Sequence, residues 1–167
     1  VSFDVQAAQR EYDAASPGEE IAIDLSITEP EVTAAALEEM LFRDQLSSKM
    51  TTMYSSSSNR VNNITLAAAA INGTILNPGE EFSFNGVVGE RTTAKGYKPA
   101  GAYVSGETVD QVGGGICQVS STLYYCTLKA NLEVTDRRNH MYSVSYLPLG
   151  FDATVNWGTI DYKFKNN

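Results

Sequence analysis

Three glycines, Gly113-Gly114-Gly115, run through Ile116 into Cys117, and the chain holds a single histidine, His140. A cysteine that opens a helix meets backbone N–H groups left without partners and a partial positive charge. Negative charge on sulfur is favoured there, which makes the thiol a nucleophile near neutral pH. The glycines permit a tight bend and the close approach of a substrate. The backbone around Gly114, Gly115 and Gln118 would then offer N–H groups to the oxyanion of a tetrahedral intermediate. His140 would carry the proton to and from sulfur. Asp152, Asn139 and a backbone carbonyl are all open as the group that orients it. Ser120 and Ser121 follow on the face of Cys117 and are read as hydroxyls that bond near the thiol or cap local backbone, a serine nucleophile being the lesser alternative. The competing reading of Cys117 is an inert cysteine packed as a small hydrophobe. A lone histidine is, equally, often a surface or core residue.

Substrate would be gripped by Arg60 and Arg91, whose planar forks suit a carboxylate, with Lys95 and Lys98 as weaker candidates. The bland alternative for each is a solvated surface charge. Tyr97 joins the substrate-binding set, although Tyr97, Tyr103, Tyr124 and Trp157 are first of all packing residues and ligand platforms second. One histidine and two cysteines make no zinc set, and nothing matches a phosphate loop or a dinucleotide fingerprint. No metal and no cofactor is expected.

These residues need elements to position them. Val119, Leu123, Cys126 and Ala130 fall at helical spacing and predict a helix from Cys117 to Asn131 with that stripe as its core face. On such a helix Cys117 and Cys126 lie ~13.5 Å apart along the axis and on opposite sides. A disulfide is therefore not expected, and Cys126 is read as a core residue. Upstream, Asn59 is the expected N-cap of a helix over 60–71 that buries Val61, Ile64, Ala68 and Ile71. Phe82 and Phe84 should share one face of a strand after the Asn77-Pro78-Gly79 turn. Residues 102–104 and 107–109 predict a hairpin turning at Ser105-Gly106. Strands are expected over 142–146, 153–157 and 161–164. Nearer the start, 6–12 has weak helical character and 20–28 alternates as a half-buried strand carrying Ile21, Ile23, Leu25 and Ile27. Thr28 with Glu31 would open a helix over 31–42. The order implies an α+β fold, a mixed and mostly antiparallel sheet against a few helices, with the cysteine at a helix N-terminus.

The net charge of −8 argues against a nucleic-acid partner. It is unevenly spread: residues 1–44 hold eleven acids and two bases, residues 45–167 nine acids and ten bases. That step predicts two units of different origin. No apolar run approaches the ~20 residues of a membrane span, and no signal segment opens the chain, so a longer secreted or anchored parent is expected.

Several long motifs occur in the order found in one family. Asn77-Pro78-Gly79-Glu80-Glu81-Phe82-Ser83-Phe84-Asn85, Val88-Gly89-Glu90-Arg91-Thr92 and the hallmark Gly113-Gly114-Gly115-Ile116-Cys117-Gln118-Val119-Ser120-Ser121-Thr122-Leu123-Tyr124 resemble the VanW domain. Asn139-His140, Val144-Ser145-Tyr146 and Asp152-Ala153-Thr154-Val155 follow suit. The resemblance implies a VanW domain over 44–167, with 1–43 similar to the end of the peptidoglycan-binding module that often precedes it. It implies an extracytoplasmic bacterial cell-wall protein, a link to glycopeptide resistance and peptidoglycan stem peptides as partners. It further implies an L,D-transpeptidase in which Cys117 forms a thioester, releases D-alanine and is resolved by an amine, with His140 as shuttle. Cys126 departs from the small residue expected at its place. A non-catalytic peptidoglycan-binding module and a cysteine carboxypeptidase or endopeptidase remain alternatives.

Overall fold

A computed structural model describes the backbone of residues 1–104 and 107–167, and the side chains of these apart from 103, 104, 107 and 108. The expected turn at Ser105-Gly106 and the reading of Tyr103 lie outside the described residues. The chain divides into two compact units, Val1–Asp44 and Gln45–Asn167. Among the described residues no helix is long and apolar enough to cross a membrane.

In the first unit β1 (Ser2–Phe3) pairs antiparallel with β2 (Leu25–Ser26). Helix α1 (Val5–Ala14) is capped by Asp4, whose carboxylate accepts from the Gln6 and Ala7 amides at 2.9 and 3.0 Å. Helix α2 (Ala34–Met40) is capped by Thr33 and not by the expected Thr28. The half-buried strand over 20–28 does not form beyond Leu25–Ser26, and Ile21, Ile23, Leu25 and Ile27 are all exposed. The physical reason is the lack of anything to bury them: this unit contains no buried residue.

In the second unit α3 (Ser58–Ile71) starts from Ser57, whose hydroxyl accepts from the Arg60 amide. Asn59 is not the cap; its amide reaches the Pro99 carbonyl at 2.9 Å. The helix buries Asn63, Ile64 and Ala67, whereas Ala68 is exposed. Phe82 lies in β3 (Glu81–Ser83), but Phe84 begins α4 (Phe84–Val88), because the Ser83 hydroxyl caps the turn by accepting from the Gly86 amide. Both rings are buried all the same. β4 (Pro99–Val104) and β5 (Glu107–Val112) form the expected hairpin, longer than the sequence indicated. Helix α5 (Cys117–Lys129) follows, then β6 (Glu133–Asp136) and β7 (Lys163–Lys165). β7 lies between β3 and β6 in an antiparallel sheet of three strands. Phe82 and Phe164 face each other across it with ring centroids 4.8 Å apart, in a core that also holds Ile64, Phe84, Tyr97, Tyr124 and Tyr162. Small antiparallel sheets with several helices make an α+β fold.

Two expectations fail for one reason. The most buried positions of α5 include Gln118, Ser120, Ser121, Tyr124 and Thr127; Val119 is buried too, but Leu123, Cys126 and Ala130 are only partly so. The stretches 142–146 and 153–157 are irregular apart from a single bridge, Asn156 to Ile160. The serines of α5 replace a strand partner. Ser121 Oγ accepts from the Ala153 amide at 2.9 Å, and Ser120 Oγ donates to the Ala153 carbonyl at 2.7 Å. Polar side chains are buried here because they satisfy a backbone that no ladder satisfies.

Candidate active site

The glycine triplet is a packing device first. A Cβ on Gly114 would sit 2.1 Å from the Ala100 carbonyl oxygen, so only glycine lets this turn lie against β4. Gly115 has φ +99 and its α-carbon faces Arg60, whose Cγ would be 2.6 Å from any Cβ. The fully buried Asn63 ties the turn down, its amide donating to the carbonyls of Lys98 at 2.8 Å and Gly114 at 3.0 Å. The result is a rigid platform from which Cys117 opens α5.

The amides of this turn are unequally available. Gln118 N–H already donates to the Gly115 carbonyl at 3.0 Å, and Gly114 N–H to Gln111 at 2.9 Å. These two therefore do not serve as oxyanion donors, which corrects the sequence reading. The Gly115 and Cys117 amides take no such backbone bond among the described residues. The Gln118 side chain is buried and donates to Thr51 Oγ1 and the Thr52 carbonyl, a structural role.

Cys117 is half-buried, and its thiol lies 3.5 Å from the Val155 carbonyl. Both cysteines are free and partly buried. His140 interacts with Cys117 through its side chain. Burial alone would lower the imidazole pKa, but its interactions with the Cys117 and Asp152 side chains outweigh that and leave it raised above 6.5. Asp152 holds the histidine twice: Oδ2 accepts from the His140 amide at 2.6 Å and lies 2.7 Å from Nδ1. Burial works against this carboxylate's ionisation, yet the bonds from His140 and the charge of Arg137 keep its pKa lowered. An ionised carboxylate only accepts, so Nδ1 carries the proton and Nε2 is left for sulfur. Asn139 spends its side-chain amide on the His140 carbonyl at 2.9 Å and does not orient the ring.

Asp152 is itself anchored. Arg137 Nη2 donates to its Oδ1 at 3.1 Å while Arg137 Nε donates to its backbone carbonyl at 2.8 Å, and the guanidinium lies over the Tyr124 ring of α5. Next door the hydroxyls of Ser120 and Ser121 fix Ala153. Both serines are fully buried, so neither is a nucleophile. Cys117 opens α5 while His140 and Asp152 share the 137–152 segment, and the serine hydroxyls of α5 tie the end of that segment to the helix at Ala153.

A chain with this hallmark turn and this meeting of cysteine, histidine and aspartate can be set beside known proteins. Residues 59–167 match the family described as VanW like protein. The chain belongs to the VanW-like family. It is 50% identical over 122 residues to the uncharacterized protein YoaR of Bacillus subtilis (strain 168), a match covering 73% of this chain and 40% of that protein. It is 34% identical over 114 residues to the vancomycin B-type resistance protein VanW of Enterococcus faecalis (strain ATCC 700802 / V583), covering 65% and 42%. The match thus spans about two fifths of the length of these curated relatives. No solved structure matches the chain.

Other candidates in this VanW-like domain fare unevenly. Tyr97 is 4% exposed within the core, so it is not a substrate platform, a correction that follows from its burial among the core side chains. Arg91 is drawn inward, Nη1 donating to Asn85 Oδ1 at 2.7 Å and the guanidinium over Phe84. Desolvation lowers its pKa, opposed by the nearby Tyr97, Cys117 and Asp161, and its Nη2 is buried without a partner among the described residues. Arg60 packs on Gly115 and donates to Ser56 Oγ at 3.1 Å, half-buried beside the turn. Lys95 and Lys98 are exposed. Among the described residues no group of three or more acidic, histidine or cysteine side chains could hold a metal ion.

Sequence reasoning gave no role to Arg137 or Tyr146. Burial pushes the Tyr146 phenol upward against the pull of a Ser121 hydrogen bond, and the charges that bear on it are those of Cys117, Arg60 and Asp152. The one available signal for Tyr146 was its place in the Val144-Ser145-Tyr146 motif, and for Arg137 a basic pair just ahead of the histidine.

Proposed function

We propose that this VanW-like domain is a cysteine L,D-transpeptidase of the bacterial cell wall, acting outside the membrane on peptidoglycan stem peptides. The observation that carries this reading is the Cys117–His140–Asp152 arrangement, in which an ionised Asp152 holds Nδ1–H and leaves Nε2 toward sulfur. Cys117 Sγ adds to the carbonyl that precedes the terminal D-alanine, and the thiol proton passes to Nε2. The amides of Gly115 and Cys117 face the negative oxygen as it forms. Collapse breaks the C–N bond, Nε2–H returns its proton to the departing amine, and a thioester remains on Cys117. An amine of a neighbouring stem then adds to the thioester, gives its proton to Nε2 and expels sulfur, which leaves an amide cross-link and the starting enzyme. Arg137 acts through Asp152 and is a positioning residue. The printed name of the VanW relative concerns vancomycin resistance, and remodelling of stem termini is the chemistry by which this chain would bear on it.

The test is incubation of the chain with a tetrapeptide donor and an amine acceptor, following free D-alanine and cross-linked product by mass spectrometry. Both products should form and vanish with Cys117→Ala. D-Alanine without cross-link would assign a carboxypeptidase instead, and muropeptide binding that survives loss of both Cys117 and His140, with no turnover, would assign a binding module.

A further inference from the structure

A pocket of about 360 Å³ is lined by His140 but not by Cys117. It is lined by His140, Asp152, Asn139, Ser143, Met141 and Leu149 among others, all from the 137–152 segment that also carries the proton shuttle. Its size falls at the lower end of small-ligand sites, which run from about 300 to 1,000 Å³. Met141 and Leu149 stand 85% and 79% exposed on its rim, apolar surface that a ligand would cover.

The chemistry of the reaction divides the ground around a cysteine–histidine pair. The acyl part of the donor is bonded to sulfur and must lie on the sulfur's side. The leaving amine takes its proton from Nε2 and the incoming amine gives its proton to the same nitrogen, so by microscopic reversibility both pass through one place, beside the imidazole. From that division and the lining of the pocket we infer that the 137–152 pocket is the amine-side subsite: it holds the departing amino acid and then the acceptor stem, a peptide bearing a free primary amine. This assignment rests on the transpeptidase reading. The donor's acyl chain lies instead on the Cys117 side. Ser143, Asn139 and the backbone of the loop supply polar contacts within the pocket, and its apolar rim, once covered, keeps water from competing for the thioester.

The test separates acylation from resolution. The donor is a stem tripeptide supplied as a small alkyl thioester, which loads Cys117 without needing the amine-side pocket; the acceptor is a tetrapeptide stem with a free side-chain amine. Ser143→Trp fills the pocket, and Leu149→Trp does so from a highly exposed position if the first variant folds poorly. Loading of Cys117 should stay within about twofold of the parent, while the ratio of cross-linked to hydrolysed product falls by about tenfold or more. An unchanged ratio overturns the assignment, and an equal loss of loading shows the pocket to be the donor side, which also overturns it. A parent protein that never loads Cys117 is a different result: it removes the transpeptidase reading, and this inference with it.

Discussion

Replacing Asp152 by asparagine tests the arrangement with almost no change of shape. One oxygen, Oδ2, serves both the His140 amide and Nδ1, while Oδ1 faces Arg137 Nη2. If the asparagine oxygen keeps both histidine bonds, its NH₂ must confront the guanidinium, donor against donor. The ring tautomer survives in that case, but the negative charge beside the imidazole is gone. Two unit charges about 4 Å apart interact by about 4 kcal/mol at an effective dielectric of 20. The charged bond to Nδ1 is itself about 1 kcal/mol stronger than a neutral one. Some of this is recovered by relaxation, so a barrier increase of about 3–4 kcal/mol is expected, a rate loss between roughly 10² and 10³. The assay is single-turnover thioester formation on Cys117, with circular dichroism and Tm as controls for folding. The same variant should lower the imidazole titration midpoint observed by NMR, since Asp152 is one of the groups holding it up. Acylation within threefold of the parent, with an unshifted midpoint, would refute the role of Asp152.

Three further outcomes follow from the same contacts. Gly114→Ala drives a methyl to 2.1 Å from the Ala100 carbonyl oxygen and should cost about 3 kcal/mol in urea unfolding; Gly150→Ala meets nothing within 4 Å and should cost about 1–2 kcal/mol through its positive φ alone. Ser121→Ala strips the Ala153 amide of its acceptor and should destabilise by about 1–3 kcal/mol while slowing acylation, because residues 152–155 loosen. The His140–Asp152 pair makes stability depend on pH from both ends. The raised imidazole pKa gives stability that is complete below about 6.5 and is lost as pH rises through the folded-state value; the lowered carboxylate pKa gives stability present above about 3.8 and lost as pH falls through its folded-state value. Tm should therefore peak in mildly acidic solution and flatten on the alkaline side in His140→Gln; an unchanged profile in that variant would contradict the pairing.

Cys117 and His140 were legible because each stands out by type, one after a glycine run and the other alone in the chain. Asp152 stood only as one of three orienters, since a partner twelve residues from His140 along an irregular segment leaves no periodic trace. The buried face of α5 was misjudged for a related reason: periodicity weighs apolar side chains, and Ser120 and Ser121 are buried for their hydrogen bonds. The stretch 153–157 looks like a strand by composition, yet its backbone is satisfied by those hydroxyls and by the Arg138 carbonyl, which accepts from Thr154. Tyr97 is a mixed case. It was read as a packing residue first and a ligand platform second, and with 4% of its surface exposed only the packing role stands. Ile21 to Ile27 keep the alternation of a half-buried strand, but residues 1–44 offer no surface against which that face can be covered.

The most direct measurement is intact-mass and peptide mapping of the chain after brief exposure to a tetrapeptide stem without any amine acceptor. A mass increase equal to the tripeptide acyl group, cleavable by hydroxylamine and mapped to the peptide containing Cys117, is the expected result, absent in Cys117→Ala and slowed in His140→Gln. No adduct on the parent protein, or an adduct borne by another residue, would contradict it.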